Sequence, residues 1–567
     1  MKEKITEYIK IVMKNLGIEA ENIVLEHPTD ITHGDYSTNV AMVYAKKLGM
    51  NPRELAEKIK DQLEVQLSIP GMDIEKIEVA SAGFINIYLS KEFFTQAVKE
   101  ILSSQEKWGK NTLIQGKKVM VEYTDPNPFK PFHIGHLMTN AIGESLARIV
   151  EYSGATTVRA NYQGDVGPHV AKAIWGIINS GEEYSTKDAL WIGEQYAKGS
   201  DAYDADPIKK EEIEIINKKV YEHSDEKVNA IYEWGRKVTL KAFEEIYTIL
   251  DTKFNHYFFE SVMAPIGEKI VKENIGKVFE DSEGAIVFHG ENYDPKLHTR
   301  VFINSKGLPT YETKEIGLTV TKFEKENPDL SIVVTAIEQG EYMKVVQKAI
   351  SLIHPDYEKR MKHITHGMMK FASGKMSSRK GNVVTGESLL RDSMDIVAEK
   401  VKDRELTNDE KESISHSVGV AAVKYSILKS SLVGDIVYDF EKSISFEGDS
   451  GPYLQYTAVR AQSIIKKAKA EGIESDASTA PAETTHLEKI LYQFPEVIER
   501  SYLSLEPHHV ATYLTELASA FNSFYANTVI VNKSDPHAPY RVALVEAFFI
   551  TMKNGLHLLS IKTPEKM

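Results

Sequence analysis

Two histidines three positions apart around a glycine, in "FKPFHIGH" (129–136), are the residues of this 567-residue chain best placed to do chemistry. Isolated histidines more often fill cores than bind ligands, and the tetrapeptide is short. With 18 His and 34 Gly available, however, composition alone produces the pattern far less than once by chance. A proline-broken approach, "TDPNPFKPF", leads into it, and "LMTNAIGESLARIVEYSG" follows as a helix ending at Gly154. His133 and His136 therefore stand at a helix N-terminus, where the first amide groups lack partners and carry partial positive charge. Anions bind there readily, the imidazoles add donors for phosphate oxygens, and Gly135 lets a flat ring or a phosphate approach the backbone. The expected chemistry is nucleotide-phosphate binding without a GxxxxGK[ST] loop, which the sequence does not contain.

A second cationic segment lies downstream in "ASGKMSSRKGN" (372–382), where Lys375, Arg379 and Lys380 alternate with Ser and Gly. That is the composition of a loop able to close on a polyphosphate, and taken alone it is equally a solvated surface loop.

The elements that must position these residues follow from periodicity. "VMVEY", the proline-broken loop, the helix carrying "HIGH" and "TTVRANY" make a strand, loop, helix, strand unit. Residues 1–110 read as an α+β module, with an amphipathic first helix (Ile5, Tyr8, Ile9, Val12, Met13, Leu16), a helix in "NPRELAEKIKDQLEV" and strands in "IEKIEVA" and "GFINIYLS". The stretch from about 175 to 260 is charged and helix-like and reads as an insertion. Strand signals return in "GAIVFHG", "RVFIN" and "SIVVTAI". From about 395 the chain reads as almost entirely helical, apart from a polar segment at 470–486 expected to be a mobile surface loop. The expectation is three domains, 1–110, 111–395 and 396–567, in a multidomain α/β architecture.

Composition narrows the function classes. A net charge of −14 argues against nonspecific coating of nucleic acid, which a cationic field drives. Zero cysteines exclude disulfides, thiolate nucleophiles and thiolate-bound zinc, and fit a reducing compartment. No apolar run approaches the length of a membrane span, and the N-terminus has an amphipathic stripe rather than a signal peptide.

Together "HIGH" and "KMSSR", about 240 residues apart, resemble the paired signatures of class I aminoacyl-tRNA synthetases. "VEYTDPNPFKPFHIGH" (121–136), "NYQGDVG" (161–167), "GLPTYETKEIGL" (307–318), "HGMMKFASGKMSSRKGNVV" (366–384) and "GPYLQYTAVRAQSI" (451–464) resemble, in order, segments of the arginyl branch of that class. "PTDITHGDYSTNVA" (28–41) with "GFINIYL" resembles its extra tRNA-contacting domain, and "YLTELASAFNSFY" (513–525) with the chain's last residues resembles its helical anticodon-binding domain. The resemblance spans nearly the whole chain. It implies a Rossmann-like parallel-sheet catalytic domain with a helical insertion, an N-terminal α+β module and an all-α anticodon-binding bundle.

The resemblance also implies a reaction. The arginine carboxylate attacks the α-phosphate of ATP, and the adenylate then esterifies the 3′ end of tRNA(Arg), releasing AMP and diphosphate. Such chemistry needs positioning and charge stabilisation rather than a side-chain nucleophile. By resemblance His133 and His136 bind the ATP phosphates, Gly135 passes near the adenosine, and Lys375 closes on the pyrophosphate. Mg²⁺ accompanies ATP without a dedicated protein cage. The guanidinium calls for carboxylate and amide acceptors, and Glu122, Asn127, Tyr311, Glu315 and Gln339 match the branch's positions. Tyr453 and Tyr456 fall where the branch stacks anticodon bases. Two departures stand out: Ser378 replaces the signature's second lysine, with Lys130 as the compensating cation and Lys380 as its rival, and Glu315 stands where Asp is frequent. The implied state is a cytoplasmic monomer with no membrane partner. A lysyl enzyme of the same class, a catalytically silent tRNA-binding relative and a small nucleotidylyltransferase are the alternatives; the last leaves both terminal regions without a task.

Overall fold

The computed structural model describes residues 1–67, 73–372 and 384–567. The chain forms two compact units. One comprises Met1–Trp108, Arg460–Phe494 and Glu516–Met552, the other Gly109–Val459, Pro495–Thr515 and Lys553–Met567.

In the first unit the apolar stripe of the opening helix, Lys2–Asn15, buries Ile5, Ile9, Val12 and Met13 completely, with Tyr8 and Leu16 packed at its margin. They cover an antiparallel sheet ordered Leu25–Glu26, Tyr36–Thr38, Phe84–Leu89, Ile74–Ala80. The last two strands match the expected ones; the first two are too short to carry a periodicity signal. Helical residues from late in the chain complete this unit. Tyr492 packs edge-on against His27, Tyr36, Phe93 and Phe94, and buried Glu488 accepts hydrogen bonds from Lys91 Nζ and Tyr540 Oη. The polar 470–486 segment is tethered: Asp476 N donates to Pro539 O at 3.1 Å and His537 Nδ1 to Thr479 O at 2.8 Å.

The second unit is built on a five-stranded parallel sheet. In chain order its parts are β1 (Lys118–Glu122), α1 (Ile134–Tyr152), β2 (Thr156–Gln163), the helices α2 (Pro168–Ser180), α3 (Ala189–Ala205), α4 (Pro207–Glu222) and α5 (Glu226–Ile249), β3 (His256–Phe259), α6 (Glu260–Glu273), α7 (Tyr311–Glu326), β4 (Leu330–Ala336), α8 (Gly340–Ile353) and β5 (Met361–His366). The strand order is β5-β4-β1-β2-β3, with every neighbour parallel. The chain thus starts at the centre, winds to one edge, and returns to wind the other way. β1 and β4 are adjacent strands whose connections leave in opposite directions, and in such sheets ligands bind beyond the strands' C-terminal ends at that switch.

α1 is an internal helix: every residue from His136 to Val150 is buried, its polar members included, with Arg148 Nε 2.7 Å from Glu144 Oε1. Gly143 permits its closest approach, since a Cβ there would lie 2.2 Å from the Tyr123 ring. The stretch expected as an insertion contributes α3 to α5, with α2 beginning ahead of it, and these helices share a core with Phe129. Its final residues form β3, an edge strand of the main sheet that is only four residues long. Between α6 and α7 lies a three-stranded antiparallel ribbon (Glu280–Ser282, Ala285–His289, Thr299–Ile303), close to the expected strands. Beyond 395 the regular elements of the described chain are all helices except Ile436–Tyr438, which pairs with Met369–Phe371.

Candidate active site

The loop from β1 to α1 is held in unusual backbone geometry. Thr124, Asp125 and Phe129 all have positive φ (80°, 46° and 68°), which for residues other than glycine costs on the order of 1–3 kcal/mol each. Side chains enforce it: Asn140 Nδ2 donates to Thr124 Oγ1 at 2.9 Å, Tyr162 N donates to Asp125 Oδ1 at 2.7 Å, and Phe129 is buried in the core of the α2–α5 helices. The loop delivers His133 to the N-cap of α1.

There the two histidines cap each other. His136 N donates to His133 Nδ1 and His133 N to His136 Nδ1, each at 3.4 Å, and the rings stack with centroids 3.4 Å apart. Gly135 allows the stack, because a Cβ there would sit 3.0 Å from the His133 ring. With both Nδ1 atoms accepting, each neutral ring carries its proton on Nε2, available to an incoming oxygen. Burial holds His136 well below the usual imidazole range, and desolvation by the surrounding loop, with the Lys130 charge adding to it, pulls His133 down to about 4 although part of its side chain stays open to solvent. Lys130 is half-buried with Nζ 5.2 Å from the Tyr196 ring centroid, and desolvation lowers it while the charge of Glu260 opposes. Lys375 and Lys380 fall outside the described residues.

Beside this cap lies a pocket rich in buried carboxyls. Glu122, the last residue of β1, receives Lys322 Nζ on Oε2 at 2.7 Å, both side chains being at most 2% exposed. Glu315 of α7 is buried with Oε1 lacking any partner; burial and then the Glu122 charge push it up to about 8, against the pull of Lys322. Burial and Glu122 likewise hold Asp125 well above the usual carboxylate range. A second buried pair, Lys314 Nζ to Glu260 Oε2 at 2.7 Å, flanks them, with Lys314 4.9 Å from the Tyr311 ring centroid. Tyr311 opens α7 and is 58% exposed, so the expected Tyr311/Glu315 face has one open and one buried end. Asn127 lies against Gly164, where a Cβ would be 2.2 Å from Asn127 Oδ1 and 3.4 Å from the Glu260 carboxyl carbon. Gln339 is exposed in the turn after β4. Glu122, Asn127, Gln339 and the histidine cap thus all stand at the C-terminal ends of β1 and β4, the switch point of the sheet.

A family model for the catalytic domain of class I tRNA synthetases (R) matches residues 97–440, a DALR anticodon binding domain matches 454–567, and an arginyl tRNA synthetase N-terminal domain matches 1–89. Arginine--tRNA ligase of Clostridium perfringens is 31% identical over 100% of both chains, and that of Fusobacterium nucleatum 32% identical over 97% of this chain and 96% of its own. The chain belongs to the arginyl-tRNA synthetase family of class I. The fold agrees: the arginyl-tRNA synthetase of Thermus thermophilus superposes with a TM-score of 0.82 at 22% identity over 100% of both chains, and that of Plasmodium falciparum with 0.80 at 21% over 100% and 99%.

Against this family background, several site residues had no role assigned from the sequence, although Asp165 and Lys314 lie inside segments that resemble the family. Glu260 and Lys314 meet only through packing of α6 on α7. Asp165, in "GDVG", is buried and accepts from Ser261 N (2.8 Å), Ser261 Oγ (2.7 Å) and Arg236 Nε (2.9 Å), clamping α5 to the start of α6. His169 Nε2 donates to Gly164 O at 2.7 Å, shaping the wall behind Asn127. Lys322 did have a signal, the seven-residue spacing from Glu315 that returns to one helix face. In the anticodon-domain region, Tyr453 is half-buried and Tyr456 is 37% exposed, on the helix Gly451–Ala470.

Proposed function

We propose that this protein ligates L-arginine to tRNA(Arg) through an arginyl-adenylate. The observation that carries the reading is the group of Glu122, Asp125 and Glu315 around one lysine, an excess of carboxyl that a permanent cation such as guanidinium would match. It adjoins a helix N-terminus capped by two neutral histidines, which suits a triphosphate.

In the first step an oxygen of the arginine carboxylate bonds to the α-phosphorus of ATP as the bond to diphosphate breaks. His133 and His136 donate from Nε2 to phosphate oxygens, and the first-turn amides of α1 add their dipoles as charge builds. Lys130, with Lys380 as its rival, supplies the cation that Ser378 does not, and Lys375 closes on the leaving diphosphate. Glu122, Asn127, Tyr311, Glu315 and Gln339 hold arginine. In the second step a terminal ribose hydroxyl of tRNA takes the acyl group and AMP leaves, while Tyr453 and Tyr456 stack anticodon bases.

In this scheme Mg²⁺ accompanies ATP. Among the described residues no helix is long and apolar enough to cross a membrane. A cytoplasmic monomer completes the proposal. Aminoacylation of total tRNA with each of the twenty amino acids tests it: arginine alone is the expected product, charging with lysine overturns the pocket assignment, and no charging overturns the enzymatic reading.

A further inference from the structure

Lys322 is fully enclosed on α7, two turns beyond Glu315, with Nζ 2.7 Å from Glu122 Oε2. It shares the lining of a small internal cavity with Glu315 and Ser331. The charges of Glu122, Glu315 and Asp125 all act on it, so one ammonium serves two buried carboxyls and the half-buried Asp125. Stability is a weak reason for a lysine here, since an apolar side chain of similar length would fill the space without the desolvation cost of a buried ion. Three polar atoms in the cluster are buried without partners, Glu315 Oε1, Ser331 Oγ and Tyr162 Oη. The charges of Glu122, Glu315 and Glu260 all act on Tyr162, which places its hydroxyl in the same neighbourhood.

We propose that Lys322 is a positioning residue that determines specificity for the arginine side chain: it fixes one oxygen of Glu122 and offsets part of the carboxyl charge, leaving an excess of negative charge that attracts a guanidinium. This rests on the arginine-ligating reading above. Lys322 engages Oε2 of Glu122 and leaves its second oxygen for the substrate, while the Glu122 charge acts on Glu315, whose Oε1 has no partner. The planar guanidinium fork can span two such acceptors, whereas the uncharged urea of citrulline has an oxygen where the fork has a donor.

Glu122 of β1, Glu260 of α6 and Lys322 of α7 set the charge of Glu315, and Asp125 of the loop after β1, Tyr162 of β2 and Tyr342 of α8 are the further titratable groups that feel it. Glu315 lies near 8 in the free protein and a cationic ligand favours its ionised form, so arginine binding releases a proton. Affinity then rises with pH up to about 8 and levels off above it. Lys322 is the one group acting on Glu315 that lowers it, so its removal moves the inflection to higher pH. A protonated Glu315 can also donate to the citrulline oxygen, so discrimination against citrulline strengthens as pH rises.

The test uses the full-length protein with saturating ATP and tRNA, measuring kcat and KM for arginine and inhibition by citrulline from about pH 6.5 to 9.5 in wild type, Lys322→Met and Lys322→Arg. Lys322→Met is expected to raise arginine KM on the order of tenfold with kcat nearly unchanged, the pattern of lost uniform binding. It also shifts the KM inflection upward and weakens discrimination against citrulline, while KM for ATP is unaltered. Lys322→Arg keeps the charge and restores most of each. Should Lys322→Met fail to fold, Lys322→Gln keeps a donor for Glu122 without the charge and is expected to show the same upward shift. A folded neutral variant with unaltered arginine KM and inflection overturns the role of Lys322. Wild-type protein that charges no arginine overturns the functional reading instead, so the two failures are distinguishable.

Discussion

His133 and His136 are useful because they are kept neutral. A protonated pair stacked 3.4 Å apart would repel, and a charged ring could not accept on Nδ1 the backbone hydrogen bond that fixes its orientation. Replacing His136 by Ala removes one phosphate donor and one half of the cap; ATP–pyrophosphate exchange is expected to fall on the order of 100-fold. Binding of tRNA, followed by filter retention, stays nearly unchanged, and equal loss of both would indicate misfolding. Lys130→Ala should impair the ATP-dependent step more than Lys380→Ala, and the reverse order would reassign the compensating cation. Glu315 gives a stability signature of its own. Its folded-state value near 8 lies above the ordinary 4.5, so folding favours the protonated form. Its contribution is fully present below about 4.5 and is lost as pH rises toward 8. Glu315→Gln avoids that loss, so the Tm of the variant minus that of wild type should grow between pH 5 and pH 8.5 in thermal melts; a constant difference would mean that Glu315 is not protonated in the folded protein.

At the scale of elements, α1 does two jobs with opposite requirements. Its first turn must be open to an anion, while the remainder is buried against the sheet. Gly143 serves the second job by letting α1 approach Tyr123, and Gly143→Ala, with its Cβ 2.2 Å from that ring, should cost about 1–3 kcal/mol in urea unfolding. Gly164, after β2, serves the neighbouring loop instead: Gly164→Ala would drive Asn127 Oδ1 away from a position 2.2 Å from the new methyl, and arginine KM should rise on the order of tenfold or more with little change in Tm. An unchanged KM would remove Asn127 from the arginine site. The strained β1–α1 loop explains why the approach to "HIGH" is rich in proline, aspartate and asparagine. Those residues suit turns, and the insertion-core residue Phe129 and the Tyr162 amide supply the energy that keeps Phe129 and Asp125 at positive φ.

For the whole molecule, the doubly wound sheet decides which distant residues meet. Glu122 and Gln339 are more than two hundred positions apart, yet β1 and β4 are neighbours and their C-terminal ends form one edge. The first compact unit joins sequence from both ends of the chain, and Tyr492 is its aromatic keystone among His27, Tyr36, Phe93 and Phe94. Tyr492→Ala should destabilise that unit by about 3–5 kcal/mol, seen as an earlier transition in calorimetry with the ATP KM preserved. A single unshifted transition would mean that the cluster contributes little.

What the sequence determined by itself was whatever local physics encodes. The apolar stripe of the first helix, the β-branched run before the proline loop and the histidines at a helix start are legible from neighbours in the chain, and ordered motifs carried the family resemblance across the rest. The four-residue strand β3 was hidden because so short a run gives no period to read, and the strand Ile436–Tyr438 for the same reason. Charge states, ion pairing and shared sites were decided only by tertiary structure. Glu122 in isolation is a carboxylate like any other. It becomes half of a buried ion pair only when α7 brings Lys322 to it across two hundred residues, and Glu315 holds its proton only because packing removes water and leaves one ammonium among three carboxyls. Long-range contacts and desolvation have no local signature, because both are properties of what surrounds a residue rather than of the residue itself.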